Sequence, residues 1–190
     1  MTRRRYLFDA PDRFVTGTVG PAGNRVFYLQ AREGTRITSV SLEKVQVAAL
    51  AQRLDQLLDE LDRRGIEGAA EVSDTEALAR GDVTALDEPI NEVFRAGTLS
   101  IGWDTEDNIL LIEARELTDD EDEDDEDLSD DEDDEGPDVM RVRITAAAAR
   151  RLVERAVRIL SSGRPPCPLC GQPLDPQGHL CPRRNGHLLN

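Results

Sequence analysis

The sequence predicts an α+β fold: two strand-strand-strand-helix units, related by internal duplication, whose strands form antiparallel sheet and whose two amphipathic helices cover its apolar face. Two observations carry this. Short apolar, β-branched and aromatic runs, broken by turn clusters, precede a stretch whose apolar residues recur at helical spacing. The same order of blocks then returns. Phe14-Val-Thr-Gly17-Thr18-Val19 matches Phe94-Arg-Ala-Gly97-Thr98-Leu99 at an offset of 80, and Val26-Phe-Tyr-Leu-Gln-Ala31-Arg32-Glu33 matches Ile109-Leu-Leu-Ile-Glu-Ala114-Arg115-Glu116 at 83. Ser39 to Leu58 matches Arg141 to Leu160 at 102, and the second copy carries an acidic run where the offset grows.

In the first unit, strands are expected at Phe14 to Val19 and Arg25 to Ala31, separated by the turn cluster Gly20-Pro-Ala-Gly23-Asn24. A third strand, Arg36 to Val40, follows Glu33-Gly34-Thr35. Leu42, Val45, Ala49, Leu50, Leu54, Leu57, Leu58 and Leu61 then mark a helix, with Ser41 as its N-cap and Gly65 as its stop. The second unit gives strands at Gly97 to Trp103, Asn108 to Glu116 and Val139 to Ile144. Its helix runs from near Thr145 to near Ser161, with Leu152, Val153, Ala156, Ile159 and Leu160 as its stripe. The organisation is therefore a first βββα unit at 1–65, a connecting segment at 66–91, a second unit at 92–162 and a tail at 163–190. Residues 70–86 fit either a strand or a short helix.

Net charge is −16, but it is concentrated. From Asp119 to Glu135, 15 of 17 residues are Asp or Glu, and outside that run acids and bases nearly balance. The run reads as a solvated, disordered loop at 117–137 between paired strands, tolerated because closure entropy grows slowly with loop length. Docking on a basic partner surface, or mimicry of a nucleic-acid backbone, is the alternative. It lacks the glycine and spaced ligands of an EF-hand. No apolar run is long enough to span a bilayer, and the stretch after Met-Thr-Arg-Arg-Arg is too charged for a secretory signal. A cytoplasmic location without membrane attachment is expected.

The last 24 residues hold all three cysteines and both histidines. Thiolate and imidazole are the ligands zinc prefers, and Cys167-Pro-Leu-Cys170 offers two sulfurs from one turn. Cys181 supplies a third. The fourth ligand is His179, with His187 as the alternative. Four protein ligands leave no open position, so one structural zinc per chain is expected, holding together a knuckle too short to build its own core. Three cysteines in one short tail do not make a disulfide framework, which fits a reducing compartment.

No catalytic constellation is present. Phosphate loops, nucleophile elbows and dinucleotide fingerprints are absent, and with both histidines in the tail the body has no imidazole base. Asp9 and Asp12 flank Pro11 in what reads as turn chemistry. The recurring pairs Arg32-Glu33 and Arg115-Glu116 read as strand-end salt bridges. The expectation is a non-catalytic protein-interaction or adaptor module with a protein partner. One alternative is an enzyme of unrecognised type that uses Asp9 and Asp12 beside an arginine. The other is a nucleic-acid binder, which requires a patch of Arg164, Arg183 and Arg184 joined by Arg150, Arg151 or Arg155; two tail arginines alone are too few.

Three stretches resemble an actinobacterial family designated domain of unknown function number 3090. They are Phe8-Asp-x-Pro11-Asp12-Arg13-Phe14-Val-x-Gly17-Thr18-Val-Gly20, Phe27-Tyr-Leu-Gln30-Ala31-Arg32-Glu33-Gly34, and Val40-Ser41-Leu42-Glu43-Lys44. The ending from Cys167 through His179 and Cys181 to Gly186 is similar to that family's ending as well. The resemblance covers nearly the whole chain. It implies no catalytic or binding residues.

Overall fold

A computed structural model describes residues 2–21, 23–66, 85–118, 135–162 and 169. Seven strands form one mixed sheet: β1 (Arg5–Asp9), β2 (Arg13–Val19), β3 (Val26–Glu33), β4 (Arg36–Leu42), β5 (Glu92–Asp104), β6 (Ile109–Glu116) and β7 (Val139–Ile144). Two helices, α1 (Lys44–Arg63) and α2 (Ala146–Ser161), pack together over its apolar face. The strand order is β1-β7-β6-β5-β4-β3-β2. The α+β expectation holds, but the sheet is not purely antiparallel. β4 pairs with β5 in parallel, as β1 does with β7. The first pairing follows from the crossover through α1, which returns the chain alongside β4.

β1 was not anticipated. Its sequence, Arg5-Tyr-Leu-Phe-Asp9, is short and flanked by charge, and its partner β7 is distant in the chain. Its position reveals the shape of the sheet. Only Ala10, Pro11 and Asp12 separate β1 from β2, although these are the two edge strands. Four residues reach at most about 14 Å, whereas a flat sheet would hold those edges about 29 Å apart. The sheet therefore curls until its edges approach. Arg36, in β4, spans the gap: its guanidinium donates to the Leu7 carbonyl and lies over the Phe8 ring at 4.1 Å.

Both helices form for reasons visible in their ends. α1 buries Val47, Leu50, Ala51, Leu54, Leu58 and Leu61, a stripe at helical spacing. Leu42 belongs instead to β4, and Val45 faces solvent. Glu43 rather than Ser41 caps the helix, its backbone N–H donating to Gln46 Oε1, and Ser41 lies in β4. Gly65 takes φ +75° just past the helix, while Ile66 N–H returns to the Leu61 carbonyl, as in a Schellman stop. Thr145 caps α2 by accepting from Ala148 N–H.

β5 keeps its apolar residues on one face by changing phase. Phe94 and Ala96 face the core before the bulge at Gly97, and Leu99, Ile101 and Trp103 pack against it afterwards. Gly97 is required there, because a Cβ would lie 2.9 Å from the Leu117 backbone. The Gln46 amide donates to the Ala96 and Gly97 carbonyls, fastening the first turn of α1 to the bulge.

Cross-strand register shows what the matched blocks do. Gln30 faces Ser39, and Glu113 and Arg141, their matches at 83 and 102, also face each other. The first block behaves differently. Thr18 faces Phe27, whereas its match Thr98 faces Arg115 rather than Leu110.

Candidate functional site

Cys167, Cys170, His179, Cys181 and His187 lie outside the described residues, as do Arg164, Arg183 and Arg184. So do residues 67–84 and 119–134, which include most of the undecided segment and nearly all of the acidic run. That run connects β6 and β7, which pair antiparallel up to Arg115 and Val139. Among the described residues, no three His, Cys, Asp or Glu side chains gather as a metal site.

The carboxylates considered for catalysis sit on the surface. The Asp9 side chain is 72% exposed and lies 3.8 Å from Arg143. Asp12 is 56% exposed, accepts from Gly34 N–H at 2.7 Å and lies 3.9 Å from Arg32. The intervening Ala10 takes φ +55°, and its N–H donates to the Arg143 carbonyl. These contacts fix a tight turn, as the Pro11 pattern suggested.

The arginines expected to form a patch on α2 have separate tasks. Arg150 is buried and reaches across to α1, 2.7 Å from Asp55 and 3.3 Å from Asp59. Arg155 is buried against β2, where its Nε donates to the Thr16 carbonyl. This satisfies a backbone group on an edge strand, a place where unpaired carbonyls invite aggregation. Of the three, Arg151 alone is exposed.

Arg151 opens onto a cleft of about 210 Å³ between α2 and the start of β2. Four arginines line it: Arg13 from β2, and Arg151, Arg155 and Arg158 at i, i+4 and i+7 on α2. Asp12 and Glu154 are its two carboxylates, with Phe14, Val15, Ile144 and Leu152 supplying apolar wall. Arg13 also donates to the Ala85 carbonyl and lies 2.9 Å from Asp87, so its position is fixed. The side chains of Arg151, Glu154 and Arg158 make no ion pair or hydrogen bond among the described residues. The sequence held a signal for this site in the arginine spacing of α2.

On the outer face of the sheet, Glu113 is 1% exposed and held between Arg115 at 2.8 Å and Arg141 at 2.7 Å. At the start of β5, the Tyr28 and Ser41 hydroxyls both donate to the Glu92 carboxylate. Burial, then the hydrogen bond to Glu92 and last its charge, raise the Tyr28 hydroxyl above its ordinary pKa. At the β5–β6 turn, Asp104 accepts from the Asp107 and Glu106 N–H groups, which hold its carboxyl below the usual range. Arg143 beside it is held more firmly protonated by the Asp107 hydrogen bond and by the charges of Asp9, Asp107 and Asp104.

These features define an α+β protein with a helix pair over a curled mixed sheet and an arginine-lined cleft at the joined edges. Residues 6–181 match the family described as Protein of unknown function (DUF3090), and the chain belongs to that family. No curated protein and no solved structure matches it significantly.

Proposed function

We propose that this chain is a cytoplasmic, non-catalytic interaction module, in which a zinc-bound tail follows a rigid α+β body and engages a partner protein. The observation that carries it is the gathering of Cys167, Cys170, His179 and Cys181, with His187 in reserve, within one short segment. That donor set is of the type zinc prefers in closed structural sites. A bound zinc supplies folding energy to the tail rather than chemistry. A reducing compartment keeps the three thiols available as ligands, and none of the described helices is long and apolar enough to cross a membrane.

The body supports a binding role over a catalytic one because it has no histidine and because Asp9 and Asp12 are exposed turn residues. We further infer that the two βββα units arose by duplication. Their matched Gln30–Ser39 and Glu113–Arg141 pairs favour this, and β1 sits beside β7 as β5 sits beside β4. The test is cross-linking in cells that produce the intact chain or its Cys170→Ser variant. A partner protein lost with the substitution supports the reading; partners indifferent to it contradict the role of the tail.

A further inference from the structure

β5 outruns the strand beside it. β4 leaves the sheet at Leu42 and turns into α1, so its pairing with β5 ends at Arg95, while β5 continues to Asp104 alongside β6. Glu116 N–H donates toward β7, to the Asp138 carbonyl, so along β6 the backbone groups of Ala114, Ile112 and Leu110 point the same way. Their partners in β5, Leu99, Ile101 and Trp103, therefore turn their N–H and C=O groups away from β6, toward the side that β4 has left. Ala96, opposite Glu116, does the same, and its carbonyl accepts from Gln46. Among the described residues, no strand pairs with β5 on that side beyond Arg95. Elsewhere the sheet blunts its edges: Arg155 covers the Thr16 carbonyl of β2, and Arg36 the Leu7 carbonyl of β1. The stretch Thr98-Leu-Ser-Ile-Gly-Trp103 has no charge and no proline, the form of edge that accepts another strand.

Beside this edge lies a groove of about 170 Å³ between β5 and α1, walled by Leu99, Ile101, Ala49 and Leu50. Its single charge is Arg53, which makes no ion pair or hydrogen bond among the described residues. We propose that edge and groove together bind an extended, acidic segment of a partner protein, which adds a strand to β5. The outward groups of Leu99, Ile101 and Trp103 supply its backbone pairing, and the groove takes an aliphatic side chain of the segment. Charge complementarity selects an acidic segment, because a carboxylate there pairs with Arg53. A second copy of this chain, pairing by the same edge, would instead bring its own Arg53 alongside. The volume is below the usual range for drug-sized molecules, which decides against a small ligand. The surface belongs to the body and needs no zinc in the tail.

The test is titration of the full chain, followed by the fluorescence of Trp103, its only tryptophan. The probes are a short capped peptide of alternating valine and threonine with a glutamate at each end, and its lysine-ended counterpart. Two further versions of the glutamate peptide are N-methylated, one at the valines and one at the threonines. Saturable single-site binding of the glutamate peptide is expected, about threefold or more tighter than the lysine peptide, with the preference reversed in Arg53→Glu. One N-methylated version binds and the other does not, because only alternate amides of an added strand face β5. Ala49→Phe fills the groove and abolishes binding, whereas Ala48→Phe, exposed on the same helix, leaves it unchanged. Cys170→Ser binds as the native chain does. Lack of saturable binding, equal binding of the two N-methylated versions, or loss in Cys170→Ser overturns the proposal. So does a dimer in sedimentation velocity that Ala49→Phe splits, since a second copy then holds the edge. Unchanged thermal melting of the variants separates lost binding from lost folding.

Discussion

Gln30 and Asp87 hold each other by two hydrogen bonds: the Gln30 amide donates to the Asp87 carbonyl at 3.0 Å, and Asp87 N–H donates to Gln30 Oε1 at 2.8 Å. One side chain thus satisfies both backbone groups of a residue in the segment before β5. The same amide donates to Ser39 Oγ, so three elements meet at a residue that is 1% exposed. The contact seals the outer face of β3 and β4 and sets where β5 begins.

Gln30→Ala leaves the Asp87 N–H and carbonyl without their partner in a covered site. Loss of about 2 kcal/mol is expected, from the penalty for orphaned polar groups. Urea denaturation measures it, and a midpoint equal to that of the native chain would show that the clamp carries no stability.

Leu86 seals the same face by packing on Gly17. A Cβ at Gly17 would lie 2.5 Å from Leu86 Cγ and Cδ2, so Gly17→Ala overpacks the contact. The expected loss is about 1–3 kcal/mol. Combined with Leu86→Ala, most of that loss disappears, because the clash has one source. A double-mutant cycle with additive effects would place the strain elsewhere.

Glu113→Ala removes the carboxylate shared by Arg115 and Arg141, leaving two mostly buried guanidinium groups facing each other. A loss of about 3–5 kcal/mol is expected, the cost of breaking a buried ion pair from one side. Glu113→Gln, which still accepts a hydrogen bond, loses less. Equal effects of the two substitutions on the denaturation midpoint would mean that charge is not what the site requires.

Asp104 gives the pH dependence a sign. Its folded-state pKa lies below the ordinary value, because two backbone N–H groups favour the ionised carboxyl. Its contribution is therefore fully present above the ordinary carboxylate range and is lost as pH falls through the lowered pKa. Asp104→Asn keeps an acceptor oxygen but not the charge. The difference in melting temperature between it and the native chain is greatest near neutrality and narrows in acid; a difference independent of pH would contradict the assignment.

Local pattern made much of this legible, and non-local geometry the rest. Thr145, Gly65 and the α2 stripe follow from capping chemistry and periodicity, which act within a few residues. β1 is invisible locally because its strand identity comes from pairing with β7 across most of the chain. Ser41 looks like an N-cap in sequence, but the strand wins: β4 continues to Leu42, and Ser41 finds Glu92 instead. The cleft was partly legible. The spacing of Arg151, Arg155 and Arg158 puts them on one helix face, but only the return of Arg13 on an edge strand makes that face the wall of a site.

The central claim is the zinc-bound tail, and metal content per chain tests it most directly. Mass spectrometry on reduced, purified protein is the measurement, applied to the native chain, His179→Ala and His187→Ala. One zinc per native chain, lost in His179→Ala and kept in His187→Ala, is the expected result. Native protein that carries no zinc would contradict the claim.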